Sequence, residues 1–243
     1  MHHLLPGRCT MCCGSLIKQE KCICQSCIKE LPWLTTQCQR CSVPLTADAL
    51  CANCQLELPT YRRCIAVFSY QAPIDTIILH LKNDPYAAEI KQLTEHLVER
   101  IILSYHQTHT PYPQLVIPMP LHWKKMTQRG FNQSHIISRL LADHFLLEHK
   151  TAISIRTDLC QRVTHNPAQH TLDKIQRSKS IKNAFAVTAQ AATTLKGLSI
   201  AVVDDVVTTG ATANAISGAL LNAGANQVDI WCLARTSWNT SSQ

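Results

Sequence analysis

No apolar run in this 243-residue chain approaches the roughly 18 residues of a membrane-spanning helix, and the opening MHHLLPGRCTMCC has no secretory-type apolar region. A helical membrane protein is excluded, and the expected location is cytoplasmic. Aromatic residues are also scarce, at 5%. A surface that grips single strands by stacking many bases is therefore poorly provided for, with Trp123 and Phe131 as the stacking candidates of the basic middle. The length suffices for a sizeable core and permits one or two domains.

What the chain has in excess is cysteine, and only at one end. Of 13 cysteines, ten fall in the first 54 residues, and eight of these form the C-x-x-C pairs Cys9/Cys12, Cys24/Cys27, Cys38/Cys41 and Cys51/Cys54. Two residues between thiolates let both reach one tetrahedral Zn²⁺ from a tight turn, so eight thiolates make two closed Cys₄ sites. Without an export signal, a disulfide framework is the weaker reading. Pairing in sequence gives a double zinc ribbon, pairing first with third gives a cross-brace, and the spacing leaves both open. Cys13 and Cys22 are spare neighbours able to substitute, while Cys64, Cys160 and Cys232 sit in apolar contexts that suit a core. Residues 1–58 lack apolar periodicity, so metal is expected to do there what a hydrophobic core does elsewhere.

From Tyr61 the pattern changes. RCIAVFSY reads as a strand, IDTIILHLK as a short helix and EIKQLTEHLVERIILSYH as a longer amphipathic one. QLVIPMP is a strand that stops at prolines. It leads into the basic loop of LHWKKMTQRGFNQS, carrying His122, Lys124, Lys125 and Arg129, and then into a helix capped near Asn132. LSIAVV reads as a strand buried on both faces, TTGATANAISGALLNAG as a helix ending near Gly224, and VDIWCLA as another strand.

Between the last two strands stands IAVVDDVVTTGAT, residues 200–212. In such strand, loop, helix units, ligands sit beyond the carboxyl ends of the strands, and the helix start offers free N–H groups to an anion. Thr208, Thr209, Gly210, Ala211 and Thr212 can cradle a phosphate. Asp204 and Asp205 repel that phosphate, so they suit sugar hydroxyls or a hydrated Mg²⁺. A sugar phosphate satisfies both halves. The basic loop supplies cations for a diphosphate opposite the ribose.

The residues IAVVDDVVTTGAT closely resemble the phosphoribosyl diphosphate (PRPP) signature of type I phosphoribosyltransferases. Together with the four cysteine pairs, YQAPIDTIILHLK, IPMPLHWKKMTQRGFNQSHIIS and RVTHNPAQHTLDKIQRSKSIKNAF, in this order, they resemble the ComF/GntX family over essentially the whole chain. The resemblance implies an α/β fold with a type I phosphoribosyltransferase-like parallel sheet flanked by helices (residues 61–243) behind an N-terminal double zinc ribbon (1–58). It also implies a role in natural competence or use of external DNA. Residue by residue it implies Asp204 and Asp205 on the ribose hydroxyls and Thr208 to Thr212 around the 5′-phosphate. Met119, Pro120, Leu121 and His122 would form the pyrophosphate loop, with Arg129 beside it, and Arg162 to Lys182 a flexible loop closing over PRPP. Zn²⁺ at two structural sites and Mg²⁺ with PRPP are the implied cofactors, and single-stranded DNA and DNA-uptake proteins the implied partners. One position departs: hypoxanthine-guanine type transferases carry a general-base Asp where this chain has Thr208, which disfavours a purine substrate of that kind. His165 and His170 suit solvated positions better than catalysis, so no catalytic residue is assigned.

Charge narrows the choice without closing it. Residues 121–182 hold 11 Lys and Arg against 4 Asp and Glu, a balance of +7 that equals the excess of the whole chain. Residues 1–60 hold 5 against 4, and loaded Cys₄ sites add negative charge, so DNA contact is better sought in the basic middle than on the ribbons. An active transferase with an unknown acceptor, a PRPP-binding accessory of DNA uptake and a non-catalytic nucleotide-status sensor with a zinc-ribbon interaction module all remain open.

Overall fold

A computed structural model describes residues 7–18, 20–163 and 184–237. After two short helices in the cysteine-rich region, α1 (Gln25–Lys29) and α2 (Ala52–Leu56), come β1 (Arg63–Ser69), α3 (Ile74–Leu81), α4 (Ala88–Thr108) and β2 (Leu115–Pro118). They are followed by α5 (Trp123–Arg129), α6 (Gln133–His149), β3 (Ser154–Ile155), β4 (Cys160–Arg162) and β5 (Phe185–Val187). The chain then continues through α7 (Ala189–Leu195), β6 (Ser199–Val207), α8 (Ala211–Asn222) and β7 (Gln227–Arg235).

Five strands form one sheet in the order β1-β7-β6-β2-β3, every neighbour parallel, while β4 and β5 pair as a separate antiparallel hairpin. This is the α/β class expected from the sequence. Parallel strands need crossovers, and the helices that provide them cover both faces, which is why the middles of the central strands, Ile200 to Val203 and Ile230 to Ala234, are apolar on successive residues rather than on alternate ones. Along β6, Ile200 and Val202 enter one core with Ile216 and Leu220 of α8. Ala201 and Val203 enter the other, with Leu93 and Leu97 of α4 and Ile137 and Leu141 of α6.

The cysteine-rich region is not a separate ball. Ile23, Ile28 and Leu31 belong to the α4 and α6 core, whereas Leu34 and Val43 belong to the α8 core, so the two ribbons straddle the edge of the sheet. The chain between them covers that edge: Leu34 N donates to Val67 O and Ser69 N to Pro32 O, both at 2.8 Å, and Trp33 bridges Phe68. An open outer strand would invite foreign pairing; here the ribbon segment occupies it.

At the amino end of the strands, Asp229 is buried to 1% and takes hydrogen bonds from Arg62 (2.8 Å from Nε), from Arg63 and from the Tyr105 hydroxyl. Arg63 also stacks its guanidinium 3.9 Å from the Tyr105 ring and donates to Thr108 and Thr110. Removing the single anion leaves two arginines without their charge partner in a half-buried niche. Asp229→Ala is expected to lower the unfolding free energy by about 3 to 5 kcal/mol. Denaturant titration with a loss below about 1 kcal/mol would show that the network is not structural.

Candidate functional site

The carboxyl ends of β2 and β6 lie side by side, with Pro118 in register with Val203 and Met119 N donating to Val203 O at 2.8 Å. This brings the segment Met119 to His122 against Asp204 and Asp205. The sequence suggested that the apolar strand stops before the acid pair; instead β6 runs through it to Val207, with the two aspartates half-buried on its last turns of pleat. The sheet carries them because a strand end beyond the packed helices is open to solvent on one side, where a carboxylate can be accommodated.

Asp204 is the more constrained. Its Oδ1 accepts from Ser134 Oγ at 3.1 Å and from Asp205 N at 3.0 Å, while Asp205 Oδ1 accepts from Val206 N at 2.9 Å. Burial, joined by the charge of Asp205, holds the Asp204 carboxyl well above the usual carboxylate range. Ser134, which lies in the RGFNQS stretch but was given no role there, is held at the start of α6 by Asn132, whose Oδ1 caps the helix at Ser134 N while its Nδ2 donates to Met119 O, both at 3.0 Å. One side chain thus fixes the Met119 to His122 turn, α6 and, through Ser134, the acid pair.

The basic loop contains a helix that the sequence did not suggest. α5 is seven residues long, with His122 as N-cap accepting from Lys124 N at 3.2 Å and Gly130, at φ +81°, ending it. A left-handed residue here turns the chain into α6, a conformation glycine takes without a Cβ clash. Met119 and His122 are buried; Pro120, Leu121 and Arg129 are half-buried. Lys125 has its charge disfavoured by burial and by Arg162, Arg129 and Lys82, while Asp205 favours it; Arg162 is likewise depressed by burial and supported by Asp204. Lys125 and Arg129 of α5, Arg162 of β4 and Lys82 at the end of α3 thus share one neighbourhood, in which Asp205 favours the Lys125 charge and Asp204 that of Arg162. Lys82 closes the stretch YQAPIDTIILHLK, but its place beside Lys125 depends on how α3 docks, which the sequence does not record.

The loop Thr208 to Thr212 opens α8. Thr208 and Thr209 are exposed, Gly210 is buried at φ +80°, Ala211 and Thr212 are half-buried, and Thr209 Oγ1 accepts from Ala211 N at 3.3 Å. Beside the Met119 to His122 turn lies a cleft of ≈ 590 Å³, lined among others by Trp123, Met126, Phe131, His135 and Arg162, with Trp123 64% exposed. Arg162 joins this cleft to the acid pair. The anticipated closing loop beyond Arg162, with His165, His170, Lys174, Arg177, Lys179 and Lys182, lies almost entirely outside the described residues.

The eight paired cysteines gather as Cys9, Cys12, Cys24, Cys27 and as Cys38, Cys41, Cys51, Cys54, with the sulfur atoms of each set within 4.8 Å of one another. Sequential pairing is therefore the geometry, and the cross-brace is excluded. Cys13 and Cys22 stand outside both sets, and Cys22 Sγ donates to Gln92 Oε1 at 3.2 Å. Cys64, Cys160 and Cys232 are buried as expected. The donor chemistry fits Zn²⁺. Against the burial that raises it, backbone N–H groups of Cys24, Cys12 and Met11 pull the Cys9 thiol down to about 6; Cys38 goes to about 7 in the same way, with N–H groups from Cys51, Cys41 and Arg40. Burial pushes Cys41 up to about 12. Four sulfurs so close cannot all ionise without a cation among them, and a divalent ion supplies that charge.

The site and sheet together define a parallel α/β protein with a double zinc ribbon, and comparison with known proteins agrees. Residues 1–55 match the double zinc ribbon domain. The chain is 30% identical to the DNA utilization protein YhgH of Salmonella typhi over 233 residues, 96% of this chain and 98% of that one. It is 29% identical to competence protein F of Haemophilus influenzae, over 94% and 96% of the two chains, and 23% identical to competence protein ComFC of Bacillus subtilis, over 86% and 82%. The chain belongs to this family of competence and DNA utilization proteins, the ComF/GntX family. Among solved structures it is similar to a hypoxanthine phosphoribosyl transferase of Trypanosoma cruzi, at 14% identity and a TM-score of 0.39 over 64% of this chain and 69% of that one. A superposition that loose transfers no site residue. Among the described residues, no helix is long and apolar enough to cross a membrane.

Two outcomes follow from these geometries. Cys41→Ser should lose one of two zinc ions and keep the other, because each set is closed on itself, and local unfolding at a cost on the order of 10 kcal/mol accompanies loss of such a metal. Elemental analysis of protein purified under reducing conditions that finds both ions still bound, or both gone, would contradict independent sites. The second concerns pH. The folded chain keeps a proton on Asp204 that the unfolded chain gives up, so this residue costs stability increasingly as pH rises above the ordinary value of 3.8. In ligand-free protein Asp204→Asn should therefore melt higher than the parent near pH 7, about neutral, with the difference closing towards about pH 4. A variant melting lower at both values would show that the Asp204 hydrogen bonds outweigh its burial.

Proposed function

We propose that the chain binds PRPP, together with Mg²⁺, across the carboxyl ends of β2 and β6, and that this binding serves competence or the utilisation of external DNA. In this reading Asp204 and Asp205 take the ribose hydroxyls or hydrated Mg²⁺, and Thr208, Thr209, Gly210, Ala211 and Thr212 take the 5′-phosphate. Met119, Pro120, Leu121, His122 and Arg129 line the diphosphate. The observation that carries it is the acid pair at the carboxyl end of β6 beside the turn after β2, with Met119 N bonded to Val203 O and Lys125 and Arg162 electrostatically coupled to Asp205 and Asp204, next to the start of a 12-residue helix. A ligand that is cationic at one end or sugar-like, and anionic at the other, satisfies both groups; a simple phosphate satisfies only one.

Mg²⁺, when bound, would offset the diphosphate charge and draw on the acid pair. The chain's own residues would bind and orient: Ser134 and the Asp205 amide hold the Asp204 carboxylate, and Asn132 holds the turn opposite. Thr208 cannot act as a general base near neutral pH. The reading therefore stops at binding, with an active phosphoribosyltransferase of unknown acceptor as the second form of the same site. We take residues 1–58 as the double zinc ribbon and 61–243 as the phosphoribosyltransferase-like domain, acting in the cytoplasm. Single-stranded DNA is the second proposed ligand, supported by the +7 balance of residues 121–182 and by the exposed Trp123 above its cleft. The relatives' names, DNA utilization and competence, support the same direction.

Asp204→Asn combined with Asp205→Asn is expected to weaken PRPP binding by about 1.5 to 3 kcal/mol for each charged hydrogen bond lost. Calorimetry with Mg²⁺ and PRPP checks this. Equal affinity in parent and double variant would mean that the acid pair is structural.

A further inference from the structure

Arg235 ends β7, is 1% exposed, and faces two places at once. Its Nε donates to the carbonyl of Cys41 at 2.9 Å. Its Nη1 donates to Val207 O at 3.1 Å, to Thr236 O at 3.2 Å and to Thr208 O, which also accepts from Thr236 Oγ1 at 3.0 Å. A zinc knuckle and the first residue of the 208–212 loop thus share one planar donor whose fork cannot turn to one partner without losing the other. The residues that follow the ribbon touch the same region. Thr60 N donates to Asn214 Oδ1 at 3.0 Å, and the Tyr61 hydroxyl lies 3.5 Å from where a Cβ on Gly210 would stand.

Among the described residues, the first Cys₄ set has no counterpart to this. Its neighbourhood is tied to α4, through Gln92 Oε1 accepting from Ile23 N at 2.9 Å and Gln92 Nε2 donating to Ile23 O at 3.1 Å. The second set is buried at all four cysteines, the first at Cys9 alone. Four thiols without a cation cannot keep one arrangement, so loss of metal from the second set frees the Cys41 backbone. A buried guanidinium that loses a carbonyl partner must then find another, and the carbonyls it still holds are those of Val207, Thr208 and Thr236, at and beside the start of the loop.

We propose that Arg235 is a positioning residue that couples the second zinc site to the 208–212 loop. Metal at Cys38, Cys41, Cys51 and Cys54 and a phosphate-bearing ligand on the loop each strengthen the other, and the first zinc site stands apart. The loop's dependence on metal needs no ligand; the ligand's effect on metal rests on the PRPP reading. By linkage the two effects are equal when both exist.

Amide exchange in a peptide spanning residues 204–214 tests the first half on full-length protein. Cys51→Ser should exchange about tenfold faster there than the parent, and Cys24→Ser about as the parent does, since local opening is what the metal restrains. Arg235→Lys keeps the charge but not the fork, so it should accelerate exchange while both zinc ions remain by elemental analysis; it decides the matter if Cys51→Ser does not fold. Equal exchange in the two cysteine variants, or parental exchange in Arg235→Lys, overturns the coupling. For the second half, PRPP should slow chelator extraction of one zinc ion of two by about fivefold or more, and Arg235→Lys should abolish the slowing. PRPP that binds by calorimetry yet slows both ions or neither overturns the ligand arm. PRPP that does not bind at all counts against the PRPP reading alone, and the exchange comparison still decides whether metal and loop are coupled.

Discussion

Two carboxylates on successive residues of a strand buried along most of its length repel each other and resist burial, and the rest of the architecture answers to that constraint. The answer is assembled from distant parts of the chain. Ser134 and the Asp205 amide donate to Asp204, Asn132 holds Ser134, and cations arrive from the end of α3, from α5 and from β4. Apart from the Asp205 amide, none of these groups lies in the strand that needs them. A parallel sheet makes the arrangement possible, because it collects the carboxyl ends of its strands, and the turns after them, at one edge.

The ribbons belong to the same logic. Metal sites usually stand in for a core that a short segment cannot build. Here the short segment also contributes Ile23, Ile28 and Leu31 to one sheet core and Leu34 and Val43 to the other, and covers the outer edge of β1. Its Cys38–Cys41 turn meets Arg235 at the end of β7, next to that edge. A segment that substitutes metal for hydrophobic packing thus also meets the sheet through a buried arginine, Arg235, whose Nε donates to the Cys41 carbonyl.

Much of this was legible in the residues. The apolar runs ending in Val203 and Ala234 and the helix periodicity around Leu93, Leu97 and Ile101 appear as read, because burial on both faces of a strand or one face of a helix leaves a plain trace. The C-x-x-C pairs announced metal, though not which pairs share an ion; that depends on how two turns dock, which spacing does not encode. Three features left little trace. α5 is too short and polar for periodicity to reveal, and its existence depends on the His122 cap and Gly130. The continuation of β6 through Asp204 and Asp205 contradicts local preference and is imposed by pairing with β7 in register. Arg235 reads as the charged end of an apolar strand, yet its partner Cys41 lies 194 residues away, and no local pattern records so long a contact. Lys82 and Ser134 escaped for the same reason.

The most direct test of the account is a crystal structure of the zinc-loaded protein with Mg²⁺ and PRPP. The account predicts the ribose hydroxyls or Mg²⁺ at Asp204 and Asp205, the 5′-phosphate against the amides of residues 208–212, and the diphosphate over Met119 to His122 with Lys125, Arg129 or Arg162 beside it. PRPP bound elsewhere, or density for it absent while the acid pair keeps its contacts with Ser134 and the Asp205 amide, would contradict it.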